Sequence, residues 1–120
     1  MIIIAYQKEE QQKWLRTLDY LQQENIFLKN QLANIIKNDI SSVSLEKAEY
    51  FQNEFLNKDA VIALIRYDIA KQSKATTNLD PEAERKTAKR HEKLRSDIEK
   101  MEKEFNRLKH DFSTYIAKGL

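Results

Sequence analysis

The chain contains no cysteine and only one glycine and one proline among its 120 residues. Without cysteine there are no disulfide bonds, no thiolate catalysis and no cysteine-ligated metal sites. The single glycine, Gly119, cannot supply a glycine-rich loop of the kind that binds phosphate groups. Because turns and sheets use glycine and proline more freely than helices do, the same scarcity predicts an almost wholly helical protein.

Long apolar runs and a strong net charge are also missing. No stretch reaches the roughly 18 uncharged apolar residues that a membrane span requires. The apolar segment at residues 1–6 is too short for a signal-peptide core and lacks a basic leader. The formal net charge of +2 indicates that any electrostatic function comes from a local patch. We therefore predict a soluble, cytoplasmic protein that does not associate with membranes.

Apolar residues recur at alternating steps of four and three positions in the last third of the chain. The series consists of Leu94, Ile98, Met101, Phe105, Leu108, Phe112 and Tyr115. On a helix this spacing places every member on one face, which is stable in water only when another helix covers it. The pattern therefore predicts a long helix packed against other helices.

The same spacing appears in the first third, with one polar member. This series consists of Trp14, Leu18, Leu21, Asn25, Leu28, Leu32 and Ile35. A single asparagine among buried apolar residues usually costs stability and fixes helix register or oligomeric state, so Asn25 is our candidate register-setting residue. The alternative is that water reaches the helix face at Asn25.

The middle of the chain carries two apolar stripes at helical spacing. One stripe consists of Ala48, Phe51, Phe55, Ile62, Ile65 and Ile69, and the other of Leu56, Ala60, Ala63, Tyr67 and Ala70. A helix that is apolar on two faces is usually covered on two sides. We therefore expect this helix to be the central element, with a neighbour on each stripe.

These patterns define the expected fold. We predict a single all-α domain spanning residues 1–120, with three long helices at about 7–38, 44–72 and 81–118. Asp80-Pro81-Glu82 marks the start of the third helix, because aspartate caps helices and proline suits the first helical position. Short connections predict an up-down-up antiparallel bundle that resembles a coiled coil, with crossing angles of about 20°.

A basic cluster lies near the start of the third helix. Its members, Arg85, Lys86, Lys89, Arg90 and Lys93, fall on one side of the helix, away from the apolar face. The cluster is a candidate site for nucleic acid or an acidic protein partner. The alternative is an ordinary solvated helix face. Residues 82–93 contain no large apolar side chain, so we expect them to project past the core or to be covered by a partner.

No residue pattern supports catalysis or metal binding. His91 and His110 are the two histidines, and neither belongs to the E-x-x-H or H-E-x-x-H arrangements that place metal ligands on one helix face. We therefore predict no catalytic residues, no metal site and no cofactor, and we do not expect an enzyme.

Ile26 and Phe27 point away from the apolar face of the first helix. Two adjacent outward apolar residues suggest a contact surface, so we predict self-association through Ile26 and Phe27 as a homodimer. The leading functional hypothesis is a protein-interaction or scaffold module that binds its own copy or a helical protein partner. The alternative is binding of nucleic acid or an acidic partner through the basic cluster.

Overall fold

The computed structural model describes residues 2–38, 45–75 and 80–119, with side chains described for 5–38, 45–74 and 80–118. Within these ranges the chain forms three helices, α1 (Ile2–Asn38), α2 (Leu45–Ala75) and α3 (Pro81–Gly119), and no strand. The helices pack into an elongated bundle measuring 62 × 18 × 17 Å. The predicted all-α three-helix bundle is confirmed. No helix in the described parts is both long and apolar enough to cross a membrane.

Two of the predicted helices are too short. α1 begins at Ile2 rather than near residue 7, and α2 continues to Ala75 rather than ending at residue 72. Gln7 and Gln72 are both buried, and each continues the spacing of the apolar residues on its helix. The helices thus extend through polar buried residues that an apolar pattern does not register. The predicted first residue of α2, at position 44, lies outside the described residues.

Ion pairs between α1 and α2 show that these helices are antiparallel. Lys29 pairs with Asp59, and Asp19 pairs with Arg66, so residue numbers rise along α1 while they fall along α2. The Lys29 Nζ and Asp59 Oδ2 atoms lie 2.6 Å apart.

Ion pairs between α1 and α3 show that these helices run parallel. Glu10 contacts Arg95, and Glu24 contacts Lys109, so residue numbers rise along both helices. Together the cross-helix pairs establish the up-down-up order that was predicted.

The start of α3 follows the predicted capping pattern. The Asp80 carboxylate accepts a hydrogen bond from the Ala83 backbone N–H at 2.7 Å, and the Asp80 carbonyl accepts one from the Glu84 N–H at 2.9 Å. Pro81 occupies the first helical position, where no intrahelical N–H bond is needed. This part of the prediction is confirmed.

The core consists of one buried face from each helix. A cluster of aromatic side chains fills one end, where Phe55 and Phe112 are fully buried and meet edge to face with ring centres 5.1 Å apart. Phe51 lies 5.2 Å from Phe112 and 5.1 Å from Tyr115. Aromatic contacts at these distances add to the stabilisation from apolar burial.

The expectation of two covered faces on α2 is wrong. Leu56 and Tyr67, from the second stripe, are 53% and 63% exposed. A single face of α2 contacts both α1 and α3, because each helix of a three-helix bundle turns one face towards the common axis. That face keeps the three-and-four spacing throughout and includes Lys58 and Gln72.

The expectation that residues 82–93 lack cover within the chain is also wrong. Thr87 and His91 are buried, with 7% and 3% of their surfaces exposed. His91 contacts Gln72 of α2 and Glu10 of α1. Polar side chains from the same chain therefore cover this segment, in place of the apolar contacts or partner that the sequence led us to expect.

Phe112 should be among the residues on which bundle stability depends most. Replacing a fully buried phenylalanine with alanine leaves a cavity, so Phe112→Ala should lower the free energy of unfolding by about 3–5 kcal/mol in urea denaturation. Tyr6→Ala is the control, because Tyr6 is 58% exposed and its loss should change stability by no more than about 0.5 kcal/mol. Equal losses in the two variants would contradict the placement of Phe112 in the core.

Candidate interaction surfaces

The basic cluster lies on the outer surface of α3. All five of its side chains are exposed: Arg85, Lys86, Lys89, Arg90 and Lys93. None of them forms an ion pair with any other residue in the described ranges. Their charges are therefore available to an external anionic group.

Two members of the cluster border a groove of mixed charge between α2 and α3. Arg90 and Lys93 line a cavity of about 240 Å³ together with Lys71, Asp68 and Asp97. The two carboxylates partly offset the three positive charges, which reduces the attraction of this groove for a phosphate. The remaining cluster members, Arg85, Lys86 and Lys89, do not line this cavity.

Ile26 and Phe27 are both exposed, at 39% and 57%. Ile26 lies one turn from Lys29, which pairs with α2, whereas Phe27 lies one turn from Glu24, which pairs with α3. Side chains three positions apart are neighbours on a helix surface, so the two residues border different grooves of the bundle. The adjacent pair seen in the sequence therefore belongs to two surfaces.

Several other large apolar side chains are exposed. On the first two helices they are Tyr6, Tyr20, Leu45, Tyr50, Leu56, Leu64 and Tyr67. Leu56 borders a small cavity of about 110 Å³ between α1 and α2, where Ala33 and Ile36 of α1 also lie. The outer surfaces of α1 and α2 are thus more apolar than the cluster-bearing surface of α3.

Asn25 is fully buried and links α1 to α2. Its Nδ2 atom donates hydrogen bonds to the Phe55 carbonyl at 2.9 Å and to the Asp59 carboxylate at 2.7 Å. The second Asp59 oxygen accepts a hydrogen bond from Lys29 at 2.6 Å. A slide of one helix along the other would break these bonds, which is the geometry a register-setting residue needs. That role stays a prediction.

Lys58 occupies a buried position that the sequence analysis missed. Only 6% of the residue is exposed, and its Nζ atom lies 3.8 Å from Glu104 of α3 and 4.0 Å from Glu54 of its own helix. The spacing of the sequence does indicate that this position is buried, because position 58 completes the three-and-four steps between Phe55 and Ile62. A search restricted to apolar residues does not detect it.

His91 organises the polar end of the bundle. Its Nδ1 atom lies 3.1 Å from the Gln72 side-chain nitrogen, and its Nε2 atom lies 2.7 Å from the Glu10 carboxylate. Gln72 and Glu10 therefore contact opposite nitrogens of the imidazole ring. The Trp14 ring lies 4.5 Å from the imidazole. His91 therefore joins all three helices.

Glu10 also accepts two hydrogen bonds from Arg95. The Arg95 Nε and Nη2 atoms lie 2.7 and 2.6 Å from its two carboxylate oxygens. Hydrogen bonding to Arg95, and secondarily to His91, lowers the pKa of Glu10 from 4.5 to about 2 against the opposing effect of burial. The same pairing raises the pKa of Arg95. Both groups are therefore charged at neutral pH and join α1 to α3.

A second charged pair joins α1 and α3 further along the bundle. Lys109 Nζ donates to Glu24 at 2.6 Å, and Tyr20 donates to the same carboxylate oxygen at 3.0 Å. Hydrogen bonding to Lys109 and then to Tyr20 lowers the pKa of Glu24. Charged pairs thus connect these parallel helices at two levels.

Metal-ligating side chains do not cluster in the part of the chain that the structure describes. Across residues 5–38, 45–74 and 80–118, no three histidine or carboxylate groups lie close enough to hold a metal ion. Three buried side-chain atoms at the polar end, Gln7 Oε1, Gln11 Nε2 and Gln72 Oε1, have no hydrogen-bond partner among the described residues. The amides by themselves supply neither a nucleophile nor an acid–base pair.

Comparison with known proteins does not assign the chain to a class. No protein-family model matches it, and searches of curated proteins and of solved structures give no significant match. The interaction surfaces must therefore be judged on their own chemistry.

The depressed pKa of Glu10 predicts a pH-dependent stability. A carboxyl group with a lowered pKa in the folded state stabilises the fold above its unfolded pKa, and this contribution disappears as the pH falls from about 4.5 to about 2. At pH 7, Glu10→Gln should lower the free energy of unfolding by about 2 kcal/mol, after allowance for screening at the partly exposed Arg95. The difference in the free energy of unfolding between wild type and Glu10→Gln should vanish as the pH approaches 2.

Chemical denaturation at a series of pH values measures this difference. Glu9→Gln is the matched control, because Glu9 is exposed and forms no ion pair within the described residues. A difference between wild type and Glu10→Gln that stays constant from pH 7 to pH 3 would contradict the assigned role of Glu10.

Proposed function

We propose that this protein is a non-catalytic interaction or scaffold module that self-associates as a homodimer through exposed helix surfaces. The observation that carries this proposal is the exposure of large apolar side chains along α1 and α2 in a bundle whose own core is already filled. Exposed apolar surface of this kind commonly serves protein contacts. The proposed setting is the cytoplasm, which agrees with a chain that has no cysteine.

The arrangement of the buried residues supports the same proposal. Buried positions recur at three-and-four spacing on all three helices, the spacing that coiled coils use to join helices of one chain or of several. We propose left-handed coiled-coil packing for this bundle. Proteins with such helices can accept a further helix on an outer face, so a helical protein partner is a second partner class within the proposal.

Self-association should be visible in the mass of the protein in solution. Light scattering coupled to size-exclusion chromatography should give twice the monomer mass at concentrations of about 10–100 µM, a typical range for a modest interface. The double variant Ile26→Ser/Phe27→Ser should shift the equilibrium towards monomer, because it removes apolar contact surface.

Ala117→Ser is the control for this variant, because Ala117 is exposed on α3, away from the apolar surfaces of α1 and α2. The single variants Ile26→Ser and Phe27→Ser separate the two grooves that these residues border. A wild-type protein that remains monomeric throughout the concentration series would exclude the homodimer.

The basic cluster supports a second candidate function, binding of nucleic acid or an acidic protein. The observation that favours it is five exposed cationic side chains on one stretch of α3 with no ion-pair partner in the described parts of the chain. No exposed aromatic side chain lies among them to stack on bases. Binding of this kind would therefore depend on phosphate contacts and would show little sequence preference.

This candidate predicts a steep salt dependence. Binding to a fluorescent DNA or RNA duplex should be detectable at about 50 mM salt and should weaken by orders of magnitude by about 200 mM. Lys89→Glu/Arg90→Glu should abolish it, whereas Lys100→Glu/Lys103→Glu, with the same charge change further along α3, should have a smaller effect. Absence of binding at low salt would exclude the nucleic-acid function.

A further inference from the structure

The outward surface of α2 contains no charged residue over about five turns. Its exposed positions between residues 53 and 70 are Asn53, Leu56, Asn57, Ala60, Ala63, Leu64, Tyr67 and Ala70. The outward surface of α3 over a comparable length carries Glu92, Lys93, Glu99, Lys100, Lys103 and Arg107. The uncharged surface is therefore a specific property of α2 and is not shared by the bundle exterior in general.

The charged side chains along the α1 edge of this surface are paired within the chain. Lys29 pairs with Asp59 at 2.6 Å, and Arg66 pairs with Asp19 and with the Gln22 side chain. A partner that docks on α2 would therefore meet no unpaired charge along this edge. Desolvation of an unpaired charge is one of the main costs of forming an interface, and the internal ion pairs reduce that cost.

Large and small side chains are arranged along the apolar stripe on α2 so that the stripe can pack against a second, antiparallel copy of itself. Leu56, Ala60, Ala63, Tyr67 and Ala70 follow steps of four, three, four and three residues. In an antiparallel pair centred on Ala63, Leu56 faces Ala70, and Tyr67 lies within one residue of the level of Ala60. Each large side chain then meets a small one, and Ala63 meets Ala63. Small residues at the centre allow two helices to approach closely, and facing large and small side chains fill the space between them.

The two ends of the surface carry opposite charges. Glu46 and Glu49 are exposed near the start of α2, and Lys71 and Lys74 are exposed near its end. None of the four forms an ion pair within the described residues. An antiparallel copy brings the acidic end against the basic end, whereas a parallel copy would place like charges together.

From these features we propose that α2 is the dimerisation helix and that it packs antiparallel against α2 of a second copy. The two-fold axis passes by Ala63, so the same surface serves both copies. The inference rests on the proposed self-association and names the surface responsible. Ile26 of α1 lies at the edge of this surface, beyond the Lys29–Asp59 pair.

The absence of native cysteine makes the geometry directly testable by disulfide cross-linking. When the axes of two packed helices lie about 8 Å apart, Cα atoms that face each other across the interface can be joined by a disulfide bond. Under mild oxidation with diamide, Ala63→Cys should therefore form covalent dimers at least about tenfold faster than Ala117→Cys. The control Ala117 is an exposed alanine on α3. A mixture of Leu56→Cys and Ala70→Cys should give mainly the mixed dimer.

A charge at the axis provides an independent test. Ala63→Glu places two carboxylates face to face, so it should weaken the dimer about tenfold or more in sedimentation equilibrium. The position is exposed in the monomer, so circular dichroism should show unchanged helix content. Ala117→Glu is the matched control and should leave the dimer intact. If Ala63→Glu fails to fold, the cross-linking result decides alone.

The outcomes separate this proposal from the broader one. If the wild type is dimeric but Ala63→Cys cross-links no faster than Ala117→Cys, the assignment of the interface to α2 is wrong, while self-association stands. Preferential Leu56→Cys homodimers would overturn the antiparallel arrangement. A monomeric wild type would overturn both proposals together.

Discussion

The bundle depends on the burial of one continuous face from each helix. Because that face advances by steps of three and four residues on all three helices, the side chains of each helix meet those of its neighbours at repeated levels along the axis. The ion pairs lie where the edges of the buried faces meet, and the remaining sides of the helices are left to solvent or to partners.

We propose that polar residues on the buried faces set the register of the helices. An apolar core of uniform spacing permits helices to slide by one repeat with little loss of contact, because each level resembles the next. Asn25 and Lys58 interrupt that uniformity near the middle, and His91 does so at one end. Each contacts atoms on another helix, so a shifted arrangement would bury polar groups without partners.

The sequence predicted the architecture well because apolar spacing determines helix packing directly. The buried faces of α1 and α3 and the cap at Asp80 were identified from local patterns. The buried polar positions were not predicted. Lys58 lies on the single buried face of α2, and Thr87 and His91 lie on the buried face near the start of α3, where an apolar pattern does not reveal them. Whether a polar residue is buried depends on partners far along the chain, which spacing within one helix does not reveal. For the same reason no local pattern indicated the Glu10–Arg95 pair.

The two ends of the core differ in composition, and this gives the rod a direction. One end holds interlocking aromatic rings around Phe112, while the other holds buried glutamines and His91. Local opening requires less free energy where less apolar surface is buried, so the helices should separate first at the polar end. We therefore expect the beginning of α1, the end of α2 and the beginning of α3 to unfold locally as one unit, before the end of the rod that contains the aromatic cluster.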